Sequence, residues 1–141
     1  MKNDLSIEIA DLEKFKKEIF HVRNQVFVKE QNVPVELEID GLDEDAIHVL
    51  ARDEQNVIGT GRMLSDGHIG RICVIKSHRS RGAGRLMVNT FIDTANKMNL
   101  LKVWLASQCS AIGFYSELGF VETGKVFDDA GIDHIKMVKM L

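Results

Sequence analysis

The sequence predicts an α+β fold, an α/β sandwich with helices flanking a mixed, mostly antiparallel, six- to seven-stranded sheet. Three observations predict it. Strand-like segments crowd between residues 46 and 75, separated by turn residues. A long segment of helical spacing then follows a glycine-rich turn. Beyond it, further strand-like runs alternate with a second, shorter helical stripe.

Element by element, Leu5, Ile7 and Ile9 alternate with polar neighbours, which predicts a first strand over Leu5 to Ile9. Asp11 is placed to cap a helix whose Leu12, Phe15, Ile19, Phe20, Val22 and Val26 recur at helical spacing. An irregular acidic stretch surrounds Pro34. Ala46 to Arg52, Val57 to Leu64 and His68 to Ile75 then read as three strands. Glu54-Gln55-Asn56 and Asp66-Gly67 join them with turn chemistry, so an antiparallel meander is expected. The long helix is expected from Gly82 to Met98, with Leu86, Val88, Phe91, Ile92 and Ala95 facing inward. Leu100 to Ala106 reads as a buried strand. Gln108 to Leu118 reads as a short helix with Ala111, Phe114, Tyr115 and Leu118 on one stripe. Gly119 suits a left-handed helix end, with Phe120 packing back on it. Strands near Phe120 to Val126 and His134 to Leu141 complete the sheet.

The 141 residues suit a single domain spanning 1–141, and 45% hydrophobic content with one proline suits a real core. A net charge of −3 argues against nucleic acid, whose binders need excess base to displace counterions. Cys73 and Cys109 stand singly, which favours reduced thiols in a cytoplasmic protein. Met1-Lys2-Asn3-Asp4 leads into no long apolar run, so neither a signal peptide nor a membrane span is expected. The five histidines form no HExxH pattern, so no metal is expected. A homodimer is left open.

Charge is unevenly spread. Val35 to Asp45 carries Glu36, Glu38, Asp40, Asp43, Glu44 and Asp45 and no base; Lys76 to Arg85 carries Lys76, Arg79, Arg81, Arg85 and His78 and no acid. For the acidic run alone, a solvated loop is sufficient explanation. The basic run differs because glycines interrupt it. A strand, then Gly82-Ala83-Gly84, then a helix presents successive backbone N–H groups at a helix N-terminus, where a diphosphate is stabilised. A P-loop would need Lys-Ser/Thr after the second glycine, and Arg85-Leu86 follows instead. A dinucleotide fingerprint would need a third glycine at position 87, which is Met. Arg79-Ser80-Arg81-Gly82-Ala83-Gly84 does fit Arg/Gln-x-x-Gly-x-Gly/Ala; the competing reading is a glycine-rich helix entry with surface arginines.

That hexapeptide resembles the pyrophosphate loop of the GNAT superfamily of N-acetyltransferases, and Ile112-Gly113-Phe114-Tyr115 with Gly119-Phe120 resembles the second motif of that superfamily. Arg23, Val26-Phe27-Val28, Glu30-Gln31, Val33-Pro34, Glu38, Asp40, Asp43, Ala46 and His48 are similar to the small ElaA-like branch. So is the tail from Asp129 to Met137, where Asp133 stands in place of the usual proline. Arg23, Phe27, Glu38, Asp40 and Asp43 also resemble acyl-homoserine-lactone synthases, which generally lack the glycine turn. The resemblance implies a GNAT-like acyl-CoA N-acyltransferase fold with acetyl-CoA as co-substrate between the fourth and fifth strands. It implies that backbone of Ile72, Cys73 and Val74 pairs with the pantetheine arm. It also implies that Arg79, Ser80, Arg81, Gly82, Ala83, Gly84 and Arg85 form the pyrophosphate site.

Acyl transfer to an amine requires a neutral amine, a stabilised oxyanion and a protonated leaving thiol. By the resemblance, a backbone N–H near Val74 serves the oxyanion and Tyr115 lies near the sulfur as general acid; a plain core role is the alternative for Tyr115. Glu38, His48 and His134 are candidates for the base, and Glu30, Glu38 and Asp40 for binding the acceptor. Glu30 could equally pair with Arg23 on a helix surface. Gln108 is a candidate for pantetheine or water, or for the start of the following helix. Cys73 reads as a small buried strand residue rather than a nucleophile. The expected function is an acetyl-CoA-dependent N-acetyltransferase acting on a small-molecule or peptide amine by direct attack. A non-catalytic acyl-CoA-binding module and an acyltransferase that draws on acyl carrier protein are the alternatives.

Overall fold

The computed structural model describes residues 4–141; Met1 to Asn3, part of the segment expected to carry no leader, lie outside the described residues. Strand β1 (Leu5–Ala10) leads into helix α1 (Leu12–Arg23), whose first turn is capped by Asp11 accepting from the Glu13 N–H at 3.3 Å. The helix does not stop at Arg23. It widens into a π-helix over Asn24–Glu30, closed by the Gln31 N–H donating to the Val26 carbonyl at 3.0 Å. Pro34 then opens a single turn, α2 (Val35–Glu38).

The meander follows as β2 (Ile47–Asp53), β3 (Asn56–Met63) and β4 (Ile69–Val74), and with β1 it forms a four-stranded antiparallel sheet in the order β1-β2-β3-β4. Helix α3 (Ala83–Lys97) leads to β5 (Lys102–Gln108). A short turn and α4 (Ile112–Glu117) then lead to β6 (Val121–Asp129) and β7 (Ile132–Met140). Gly119 takes φ +94 after α4, and the Phe120 N–H returns to the Tyr115 carbonyl at 3.1 Å, as the sequence predicts. The second sheet is antiparallel in the order β5-β7-β6.

Helix α3 covers one face of the four-stranded sheet, its Met87, Val88, Phe91 and Ala95 meeting Val49, Ala51, Ile58 and Met63 in the main core. Leu86, expected inward, is 39% exposed, and Met87 is buried instead beside the expected Val88, Phe91 and Ala95. The other face carries α1 and the π-helix, where Ile19 packs with Ala10 and Leu50, and Val22 and Val26 pack with Cys73. No helix among the described residues is long and apolar enough to cross a membrane. This sandwich brings one edge of each sheet, β4 and β5, toward the same opening.

Candidate active site

Among the described residues, one isolated backbone bridge joins the two sheets. His68 and Trp104 form a parallel bridge, with the Trp104 N–H donating to the Gly67 carbonyl at 3.0 Å, and their rings stack at 3.8 Å. Gly67 holds this junction because φ is +89 and a Cβ would lie 2.6 Å from the Lys102 carbonyl oxygen. Past the bridge β4 and β5 pair with other strands and not with each other. The wedge between them opens into two adjoining clefts that share Gln31 and Ile72.

One cleft, about 360 Å³, is lined by Ile72, Cys73, Val74, Arg79, Ser80, Gly82, Ala83, Gly84, Arg85 and Phe114, among others. Gly82 sits at φ +95 as the N-cap of α3, and no side chain caps that terminus. A Cβ on Gly82 would meet nothing within 4 Å, so the space in front of it is open. The first N–H groups of α3 therefore face the cleft without side-chain acceptors, as an anion site requires. The arginines are used differently from expectation. Arg79 forms a two-pronged pair with Glu30, NH1 to Oε2 at 2.6 Å, while its Nε donates to the Val74 carbonyl at 2.9 Å. Arg79 in turn holds the Glu30 carboxyl below its usual range. Arg81 pairs with Asp53 at 2.7 Å. Arg85 is exposed and has no acidic partner among the described residues. Phe114, expected on the buried stripe of α4, is 38% exposed and packs toward Gly84 instead.

The second cleft, about 300 Å³, is lined by residues that include Phe27, Glu38, His68, Arg71, Ser107, Gln108, Tyr115, Asp129 and His134. Tyr115 reaches it from α4, wedged edge-on between Phe114 and Phe120; burial pushes its phenol up to about 12, so it stays protonated. His134 comes from β7, where its Nδ1 lies 2.7 Å from the Ile132 carbonyl oxygen. A carbonyl only accepts, so Nδ1 bears the proton and Nε2 of the neutral ring is left as an acceptor. Gln108, at the end of β5, donates from Nε2 to Gln31 Oε1 at 3.0 Å, across the wedge. Cys73 has its thiol pushed up to about 12 by burial, which leaves no thiolate at neutral pH.

The acidic segment is folded into a network rather than presented to an acceptor. Arg23, 1% exposed, bonds Glu38 through Nε and Asp43 through NH1 at 2.7 Å. Arg62 bonds Asp43 at 3.0 Å and Asp40 at 2.8 Å, and Arg71 reaches Asp40 at 3.2 Å. Hydrogen bonds from Arg62 hold the Asp40 carboxyl well below its usual range. Asp43 is also lowered, since Arg23 and Arg62 together outweigh the opposing effect of its burial. His48 is 1% exposed, lies outside both clefts and donates from Nε2 to the Asp43 carbonyl at 2.8 Å; burial lowers its pKa. The geometry thus corrects two expectations. His48 has no access to a reacting amine, and Glu38, although it borders the cleft, has its carboxylate committed to Arg23. The alternative pairing of Glu30 with Arg23 is also replaced, by Arg79 for Glu30 and by Glu38 and Asp43 for Arg23.

Sequence reasoning missed Arg62, His68, Arg71 and Gln31. Arg62 and Arg71 carry no local signal because their partners lie far along the chain. His68 stands beside the Asp66-Gly67 turn, which marked a strand end and nothing more. Among the described residues no group of His, Cys, Asp and Glu is arranged to hold a metal ion.

The comparisons agree with this geometry. The family model for the acetyltransferase (GNAT) domain matches residues 11–141. The chain is 42% identical to the uncharacterized N-acetyltransferase YjcF of Bacillus subtilis over 135 residues, covering 93% of this chain and 96% of that one. Among solved structures, an acyl-CoA N-acyltransferase from Pseudomonas aeruginosa superposes with a TM-score of 0.81 at 27% identity, over 96% of this chain and 98% of that one. Escherichia coli ElaA superposes with a TM-score of 0.82 at 25% identity, with the same coverage. A wedge between two sheets, an uncapped helix N-terminus at one end and a tyrosine at the other therefore have a common explanation: the chain belongs to the GNAT acetyltransferase family.

Proposed function

We propose that the protein is an acetyl-CoA-dependent N-acetyltransferase that acts on a primary amine by direct attack. One observation carries the reading: the opening between β4 and β5 runs from the uncapped N-terminus of α3 to a cleft holding Tyr115 and His134. The donor set fits acetyl-CoA. The N–H groups at the start of α3 and the unpaired Arg85 would hold the pyrophosphate, and the free edge of β4 at Ile72 to Val74 would hold the pantetheine arm. When bound, acetyl-CoA supplies an activated acetyl group as a thioester.

The protein's own residues account for the proton movements. His134 Nε2 takes the proton that the attacking amine gives up. Tyr115, neutral and with no hydrogen-bond partner for its hydroxyl among the described residues, gives its proton to the departing thiolate. Phe27, Leu37 and Leu105 give the cleft apolar walls beside these groups. Glu38, which borders the acceptor cleft, and Glu30 and Asp40, which line neither cleft, are engaged by arginines rather than by the acceptor.

Thiol release from acetyl-CoA with a panel of small and peptide amines tests the reading. Amine-dependent release with stoichiometric acetylamide is the expected result. Tight acetyl-CoA binding without release for any amine would favour a non-catalytic binding module.

A further inference from the structure

We infer that Arg71 is the anion-recognising residue of the acceptor cleft, and that the acceptor is a primary amine carrying a carboxylate, in the manner of an apolar amino acid. The inference rests on the acetyltransferase reading above, to which it adds the substrate class.

Arg71 is held in an unusual conformation. Its φ is +53, in the left-handed region, inside a strand; the other non-glycine residues with positive φ among those described lie outside strands. Such a conformation costs about 1–2 kcal/mol for a residue with a Cβ, and it persists where surroundings enforce it, often at functional sites. The cause is a bulge. The pairing of β3 with β4 slips between Thr60 and Arg62, so that Arg71 and Ile72 together face Gly61. In an unbroken strand Arg71 would share the face of Cys73, which packs against Val22 and Val26. The bulge brings it to the cleft, where it is the one arginine or lysine in the lining.

Its donors are incompletely used. NH2 serves the Glu38 carbonyl at 2.8 Å, the Leu37 carbonyl at 3.3 Å and Asp40 Oδ2 at 3.2 Å. Nε is buried with no hydrogen-bond partner, its closest acid being Glu38 Oε1 at 3.6 Å. NH1 has no acceptor among the described residues. Glu38 is also bonded by Arg23 and Asp40 by Arg62, and Arg71 is the third arginine facing the three carboxylates Glu38, Asp40 and Asp43. An orphaned N–H on a half-buried cation calls for an acceptor that the chain does not supply. A carboxylate answers it with charge-assisted bonds. Phe27, Val33, Leu37 and Ile132 around it suit an apolar substituent, and His134 on the same cleft receives the amine proton.

The test uses L-leucine, L-phenylalanine and their carboxamides, in which a neutral amide replaces the carboxylate. Calorimetry on the CoA-loaded protein should show the acids binding at least ten-fold more tightly than the amides. Arg71→Gln should reduce that ratio at least ten-fold, and Arg71→Lys should restore part of it, with acetyl-CoA affinity as the control for folding. Absence of any acid-over-amide preference in the wild type, including failure of all four probes to bind, overturns the inference. So does an Arg71→Gln ratio within two-fold of wild type. Should the glutamine variant fail to fold, the wild-type ratio and the lysine variant decide. Acid-selective binding without acetylation of any amine would refute the acetyltransferase reading and leave this one standing; acetylation of the amides alone would do the reverse.

Discussion

Replacing Glu38 with glutamine separates a structural carboxylate from a catalytic one. Glu38 is 5% exposed and Arg23 is 1% exposed, so their pair is effectively out of water. Removing one partner of a buried pair costs about 3–5 kcal/mol, because the remaining charge is left uncompensated. Here Arg23 keeps Asp43 at 2.7 Å, which puts the expected cost at the lower end, about 3 kcal/mol. A domain of this length loses about 3–4 °C of midpoint per kcal/mol, so Glu38→Gln should melt about 10 °C below wild type. Circular dichroism melts read that shift, and steady-state kinetics well below the melt read activity on whatever amine the panel identifies. The kcat should hold within about five-fold, since the amine proton goes elsewhere. A melt shifted by less than about 2 °C together with a collapse of kcat would refute this reasoning and make Glu38 the base.

Three further outcomes follow from the same geometry. Gly82→Val should keep the fold at a cost of about 1–2 kcal/mol, since the new side chain meets no protein atom and only the left-handed backbone is strained; titration with acetyl-CoA should show binding lost. Tyr115→Phe should lower kcat about a hundred-fold with the acetyl-CoA KM within two-fold, and an unchanged kcat would make Tyr115 a packing residue. Acid should destabilise the protein in two stages, read by melts across pH. His48 and His68, both lowered by burial, are neutral when folded, so the unfolded chain takes up more protons and stability declines below about pH 6.5. Asp40 and Asp43, both lowered, give stability that is complete above about pH 4 and lost as pH falls through their folded values; a flat profile down to pH 3 would contradict the network.

Local signals carried most of the fold. The alternation of Ile7 and Ile9, the Asp66-Gly67 turn, the Asp11 cap and the left-handed Gly119 each describe a few neighbouring residues, and the structure places each within a residue or two of expectation. The glycine turn was legible for the same reason, because its left-handed Gly82 and the uncapped start of α3 belong to one short segment. The acidic segment was not. Nothing near Glu38 or Asp43 announces Arg23 or Arg62, whose side chains meet them only after α1 and β3 have docked on one sheet. Periodicity placed Val26 inward correctly, yet it describes a regular helix and gives no sign of the widening at Asn24. The bulge at Arg71 is similarly silent, since a slip in pairing is a property of two strands and not of one sequence.

That widening has a consequence in rotational phase. Successive residues of an α-helix turn by about 100° around its axis, and a π-helical stretch turns each residue by less. Arg23 enters the stretch pointing inward, to Glu38 and Asp43. Glu30 leaves it facing Arg79, and Gln31 follows facing Gln108 across the wedge. An uninterrupted α-helix with Arg23 so fixed would carry Glu30 and Gln31 further round, away from both partners. The seven residues from Asn24 to Glu30 thus act as a phase adjuster in a continuous rod, setting two faces that regular geometry would not align.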